Sequence, residues 1–131
     1  MCIFCDIIDH KIPSSVVYED EKVLAILDIS QVTRGHTLVM PKKHVRNIIE
    51  ADEESVLACV SAAKKLAGQI VTNCKASGVN VLTNCGESAG QSVDHLHFHI
   101  IPRYDENDCV DIKFNESPKQ DLDEVLKTIK G

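Results

Sequence analysis

Val93-Asp94-His95-Leu96-His97-Phe98-His99-Ile100-Ile101 places three histidines at alternate positions of one apolar run. In a strand, successive side chains point to opposite faces, so His95, His97 and His99 fall on one face and Leu96, Phe98 and Ile100 on the other. Residues two apart along a strand are separated by about 6.5 Å, close enough for neighbouring rings to serve one small ligand. A row of imidazoles backed by an apolar core predicts either an enzyme site or a metal site.

The leader into this run is Asn84-Cys85-Gly86-Glu87-Ser88-Ala89-Gly90-Gln91-Ser92. Its glycines permit tight turns and a close approach of backbone amides to an anion, and Gln91 and Ser92 offer side-chain donors. Fixed donors entering a row of nitrogen nucleophiles point to phosphoryl or nucleotidyl transfer. The chain contains no Gly-x-Ser-x-Gly, no Gly-x-Gly-x-x-Gly and no Gly-Lys-Ser/Thr, so the motifs of serine hydrolases, dinucleotide-binding proteins and P-loop proteins are absent.

Outward from this run, short apolar strands are predicted at 16–18, 23–27, 36–40 and 79–83. A long helix is predicted from a cap near Asp52 to Cys74, because Val56, Val60, Ala63, Leu66, Ala67, Ile70 and Val71 recur at helical spacing, with Gly78 breaking it. A short helical or irregular segment is predicted at 3–8 and a short amphipathic helix at 121–129. Five strands with short joints and one dominant helix describe an α+β architecture, a mainly antiparallel sheet with a helix packed on one face. Strand order is not readable from this pattern.

The 131 residues carry 44% hydrophobic and 26% charged residues and a net charge of -6 with histidine neutral, values of one globular domain. The acidic balance disfavours a nucleic-acid polymer as partner but leaves small phosphates open. No run is long enough to span a bilayer, and the amino terminus lacks the features of a secretion signal, which predicts a cytoplasmic protein without a membrane partner. Six cysteines are present. Only Cys2 and Cys5 form a close pair, with the spacing of half a tetrahedral zinc site or of a redox pair.

The run His95-Leu96-His97-Phe98-His99-Ile100-Ile101 resembles the signature of the histidine triad (HIT) family. The resemblance extends through Gly90-Gln91-Ser92-Val93, Ile101-Pro102-Arg103, Asp28-Ile29, Gly35 to His44 and Cys2 to Ile8. It implies one HIT domain over 1–131, with 105–131 a divergent extension, close to the nucleoside phosphoramidase branch. It also implies hydrolysis of purine nucleoside monophosphate derivatives through a nucleotidyl-histidine. His97 would be the nucleophile, with His95, His99 and His36 completing the catalytic cluster. Asn84, Gln91 and Ser92 would contact phosphate or leaving group, Asp28 the ribose, and Ile3, Phe4, Ile7, Ile26 and Leu38 the base. His44 and His95 would join Cys2 and Cys5 around a structural Zn2+, and the chain would form a homodimer. A dinucleoside polyphosphate hydrolase and a nucleotide-binding interaction protein without turnover are the alternatives.

Overall fold

In a computed structural model describing residues 1–131, the elements run α1 (Ile3–Ile8), β1 (Val16–Glu19), β2 (Val23–Leu27), β3 (Thr37–Pro41), α2 (Glu53–Cys74), β4 (Gly78–Leu82), β5 (Phe98–Arg103) and α3 (Leu122–Lys130). The strands make one antiparallel sheet in the order β1-β2-β3-β5-β4. The register pairs Ile26 with Leu38, and His99 with both Leu38 and Leu82. The histidine-bearing strand β5 is therefore an interior strand, paired with β3 on one side and with the edge strand β4 on the other.

Alternation along the strands sorts the core into two layers. Val23, Ala25, Val39, Phe98 and Ile100 pack with Cys59, Ala62, Ala63, Leu66 and Ile70 of α2. On the opposite face Leu24, Ile26, Leu38 and Met40 pack with Phe4 and Ile7 of α1. Strands that are apolar on both faces read as continuous hydrophobic runs, which is why 23–27 and 36–40 show no alternation in sequence. His97 and His99 share the α1 layer.

α2 begins where Asp52 accepts hydrogen bonds from the Ser55 amide (3.1 Å) and hydroxyl (2.8 Å), satisfying one of the orphan donors of the first turn. Glu53 and Glu54 follow in that turn, where the helix dipole favours acidic groups. Its end departs from expectation. Lys75, in the left-handed conformation (φ 58°), caps the helix, and Gly78 opens β4 instead of breaking α2. The Ala76 amide reaches the Val71 carbonyl at 3.0 Å, a six-residue closure that ends a helix without requiring glycine.

The alternating histidine run is also less regular than expected. β5 starts only at Phe98, so His95 and His97 precede the strand and only His99 lies within it. The ladder gives way because other partners take the backbone: the Leu96 amide donates to the Val45 carbonyl at 2.7 Å, and the Thr83 hydroxyl to the His97 carbonyl at 2.7 Å. The alternation of faces survives, with Leu96 in the α2 layer.

No helix is long and apolar enough to cross a membrane. Residues 111–131 are exposed throughout, among them the apolar Leu122, Leu126 and Ile129 of α3.

Candidate functional site

Each ring of the histidine run is fixed by the backbone carbonyl it finds. His97 Nδ1 lies 2.8 Å from the His95 carbonyl, and since a carbonyl only accepts, Nδ1 carries the proton and Nε2 keeps its lone pair. His97 is 6% exposed, wedged between the Phe4 ring, edge-on at 4.9 Å, and the His99 ring at 5.1 Å. Burial pushes its pKa below the ordinary histidine value, against the opposing pull of its hydrogen bond to the His95 carbonyl and of the Asp28 charge. The ring is thus neutral at pH 7, a free base at Nε2.

A second chain of bonds fixes His99. The Val32 amide donates to His36 Nδ1 at 3.4 Å, which leaves the proton of a neutral His36 on Nε2. That nitrogen lies 2.9 Å from His99 Nδ1, so His99 accepts there and carries its own proton on Nε2. Burial, reinforced by His97 and His36, pushes His99 down to about 4. One ring therefore offers a base and its neighbour an N–H donor.

The loop between β2 and β3 sets His36 and Asp28. Gln31 donates to the Asp28 and His36 carbonyls at 2.6 and 2.7 Å and accepts from the Gly35 amide at 2.8 Å. Gly35 has φ +100°, and a Cβ there would meet Ile70, Pro102 and Cys74 at 3.2–3.3 Å; both the dihedral and the close approach require glycine. Asp28 accepts from the Ser30 amide at 2.8 Å, and its other oxygen stands 3.6 Å from His36 Nε2.

Of the residues expected around a nucleotide, Phe4, Ile7, Ile26 and Leu38 form the buried α1 layer beside the histidines. Ile3 is half exposed and lines an open cleft of about 660 Å³ with Ser92. That cleft lies beside Cys2, Cys5 and His44, not over His97. Asn84 lies with His36 and His99 around a separate cavity. Gln91 departs from its expected part as a free donor. Its amide donates to the Arg46 and Val93 carbonyls at 2.7 and 3.0 Å and accepts from the Gly86 amide at 2.9 Å. It is the staple of its loop, as Gln31 is of the other.

His95 packs edge-on against the same Phe4 ring, at 5.9 Å, but its nitrogens meet other partners. Its Nε2 donates to the Pro41 carbonyl at 2.8 Å, leaving the Nδ1 lone pair aimed at Cys2 Sγ (3.5 Å), Cys5 Sγ (3.6 Å) and His44 Nδ1 (3.2 Å). His44 Nδ1 is 3.2 Å from Cys5 Sγ. Tetrahedral zinc with ordinary Zn–N and Zn–S bonds spaces its ligands by about 3.3 Å (N to N) and about 3.6 Å (N to S). The four atoms fit that figure. Without a cation, burial and the Cys2 sulfur push the Cys5 thiol up to about 11, so the cluster suits a divalent ion that would hold both sulfurs as thiolates. α1 supplies the cysteines because Cys2 caps it, its sulfur accepting from the Cys5 amide at 3.4 Å.

A five-stranded antiparallel sheet entered by three alternate histidines, with a fourth at the entrance of the adjoining strand and a Cys2His2 cluster beside the end of β3, defines a histidine triad protein. The HIT domain family model matches residues 9–106, and the chain belongs to that family. A HIT-like protein of Methanocaldococcus jannaschii is 50% identical over 131 residues, all of both chains. The crystal structure of a HIT family member from Bacillus subtilis superposes with a TM-score of 0.91 at 47% identity, over 98% of this chain and 94% of that one. Among more distant relatives, the adenylylsulfatase HINT3 of Arabidopsis thaliana is 38% identical over 109 residues, 83% of this chain and 55% of that protein. A histidine triad nucleotide-binding protein from Candida albicans matches with TM-score 0.86 at 32% identity, over 99% and 93% of the two chains. A zinc-bound family member from Mycobacterium smegmatis matches with TM-score 0.78 at 35% identity, over 90% and 84%.

Proposed function

We propose that this chain is a nucleotide hydrolase or transferase acting at the α-phosphorus of purine nucleoside monophosphate derivatives, a nucleoside phosphoramidate being the favoured substrate. The observation that carries the reading is the tautomer of His97: Nδ1 spent on the His95 carbonyl at 2.8 Å, Nε2 unprotonated in a half-apolar niche. Nε2 attacks phosphorus, forming an N–P bond as the bond to the leaving amine breaks, and the amine takes up a proton from solvent. Water then attacks the same phosphorus, returning a proton to solvent, and releases the nucleoside monophosphate and a neutral His97. His99 Nε2–H donates to the phosphoryl oxygens as charge builds on them, held by the bond from His36. Phe4, Ile7, Ile26 and Leu38, with Ile3 at the rim, serve the base, Asp28 the ribose, and Asn84 and Ser92 the phosphate or leaving group. The adenylylsulfatase and the nucleotide-binding protein among the relatives support nucleotide chemistry.

Cys2, Cys5, His44 and His95 would hold Zn2+. With four protein ligands and no open position its part would be structural, these residues tying the amino terminus to the segment leading into His97. The chain acts as a homodimer, a reading supported by the apolar residues left exposed on α2 (Leu57, Val60) and on the edge strand β4 (Val79, Val81). Dilution-dependent mass in solution tests this. Residues 1–131 work as one domain, with 105–131 an extension of it.

The test is hydrolysis of adenosine 5′-phosphoramidate with trapping of a labelled histidine. Turnover and an adduct that both vanish in His97→Ala, with the fold retained, support the reading. Tight nucleotide binding with neither turnover nor adduct overturns it, and a marked preference for a diadenosine polyphosphate overturns the choice of leaving group.

A further inference from the structure

Residues 28–36 join β2 to β3 and carry two side chains of the site at their opposite ends, Asp28 and His36. The Asp28 amide donates to the His36 carbonyl at 3.0 Å, continuing the β2–β3 ladder by one step and closing the mouth of the loop. At the far corner the His36 amide reaches the Thr33 carbonyl at 3.1 Å, and the Thr33 hydroxyl the Pro102 carbonyl at 2.6 Å. The span between mouth and corner is left to side chains.

Gln31 fills that span. Both hydrogens of its amide are used, one on the Asp28 carbonyl at 2.6 Å and one on the His36 carbonyl at 2.7 Å, while its oxygen accepts from the Gly35 amide at 2.8 Å. A reversed amide would set oxygen against two carbonyls and NH2 against an N–H, so the network fixes its orientation. The side chain is exposed. Its removal leaves no cavity in the core, and what it holds is the spacing of the two loop ends.

Two contacts depend on that spacing. His36 Nε2 lies 2.9 Å from His99 Nδ1, the contact that leaves His99 with its proton on Nε2. The Val32 amide, next to Gln31 in the chain, stands 3.4 Å from His36 Nδ1, near the outer limit of a hydrogen bond. A small shift of the loop would break it, and His36 would be free to present a lone pair to His99 in place of a proton. At the other end, Gln31 grips the backbone that carries the Asp28 carboxylate.

We propose that Gln31 is a positioning residue that locks Asp28 and His36 into one unit, so that sugar recognition and the proton on His99 are set together. The part played by Asp28 rests on the nucleotidyl-transfer reading above, whereas the link from Gln31 through His36 to His99 is read without it.

The test uses the full chain and Gln31→Met, close in volume but with no amide to bridge the carbonyls. Nitrogen-15 NMR of the His99 ring should show one tautomer in the wild type, protonated at Nε2, and a mixture in Gln31→Met. Between adenosine 5′-phosphoramidate and its 2′,3′-dideoxy derivative, the wild type should prefer the ribose compound about tenfold in kcat/KM, the scale of a hydrogen bond to a charged group. Gln31→Met should cut that preference below about threefold and lower kcat for the ribose compound about tenfold. Its Tm should move by less than about 5 °C, as for an exposed side chain. Gln31→Asn, one methylene too short to reach both carbonyls, gives the same readouts should Gln31→Met not fold. An unchanged tautomer and ribose preference in the folded variants overturn the proposal, whether or not Tm falls. A tautomer that changes while the ribose preference stays overturns the coupling of the two. No turnover by the wild type, with no His97 adduct, overturns the transfer reading, and the His99 tautomer then decides the role of Gln31 alone.

Discussion

His95 and His97 stand two residues apart in the same run, are both buried, and end in opposite chemistry. His95 gives its Nε2 proton to the Pro41 carbonyl and turns Nδ1 to two sulfurs and a second imidazole. His97 gives its Nδ1 proton to the His95 carbonyl and keeps Nε2 for an electrophile. The difference lies in which carbonyl each ring meets, since the residue type, the burial and the direction of the pKa shift are the same. One end of the run offers a lone pair to a cluster of metal-ligand type, and in the proposed function the other meets a phosphorus atom.

The largest way to break this comparison is at the nucleophile. His97→Ala should lower kcat/KM for adenosine 5′-phosphoramidate by about 10⁴-fold with near-native thermal stability, because no other ring presents an unprotonated nitrogen to the substrate. If His97→Ala keeps most of its activity, the division of labour is wrong. Removal of bound zinc with a strong chelator, or Cys5→Ala, should act on the other end. It should lower Tm by about 10 °C and abolish a one-per-chain metal content, while kcat falls much less. The reverse pattern, lost kcat at unchanged Tm, would make the cluster catalytic.

His99→Asn should cost about 10²-fold in kcat with little change in KM, the scale of one lost donor at a developing charge. A change confined to KM would reassign His99 to ground-state binding. The smallest effect is in stability against pH. His99 is held near 4 in the folded chain, against an ordinary 6.5. Between those values the unfolded chain binds a proton that the folded chain refuses, so stability is complete above pH 6.5 and falls as pH drops toward 4. Urea midpoints of the metal-loaded protein measure this, and His99→Asn should flatten the slope. An unchanged slope would show that His99 does not titrate as its burial implies.

The elements were legible where hydrophobic patterning decides. The strand Val23–Leu27 and the helix Glu53–Cys74 with its Asp52 cap fall where periodicity and capping chemistry put them. The pairing of Cys2 and Cys5 was legible because a spacing of three places both on one turn, and the resemblance named His44 and His95 to stand with them. The Lys75 cap was not legible because a lysine takes the left-handed conformation usually left to glycine, and the late start of β5 was not because the Val45 carbonyl that takes the Leu96 amide is remote in sequence. Gln91 shows the same limit: its composition suggests a donor for phosphate, yet Arg46 and Val93 consume its hydrogens. Arg103 is the converse, a residue whose three partners lie on a neighbouring strand and a following turn.

By itself the sequence determined the family, the two-layered α+β plan and the set of rings available for chemistry, because periodicity and residue type are local properties. Tertiary structure alone decided which nitrogen of each ring is free and which glutamine is spent. Those outcomes follow from carbonyls and amides that every residue carries alike, so only their meeting in space distinguishes them.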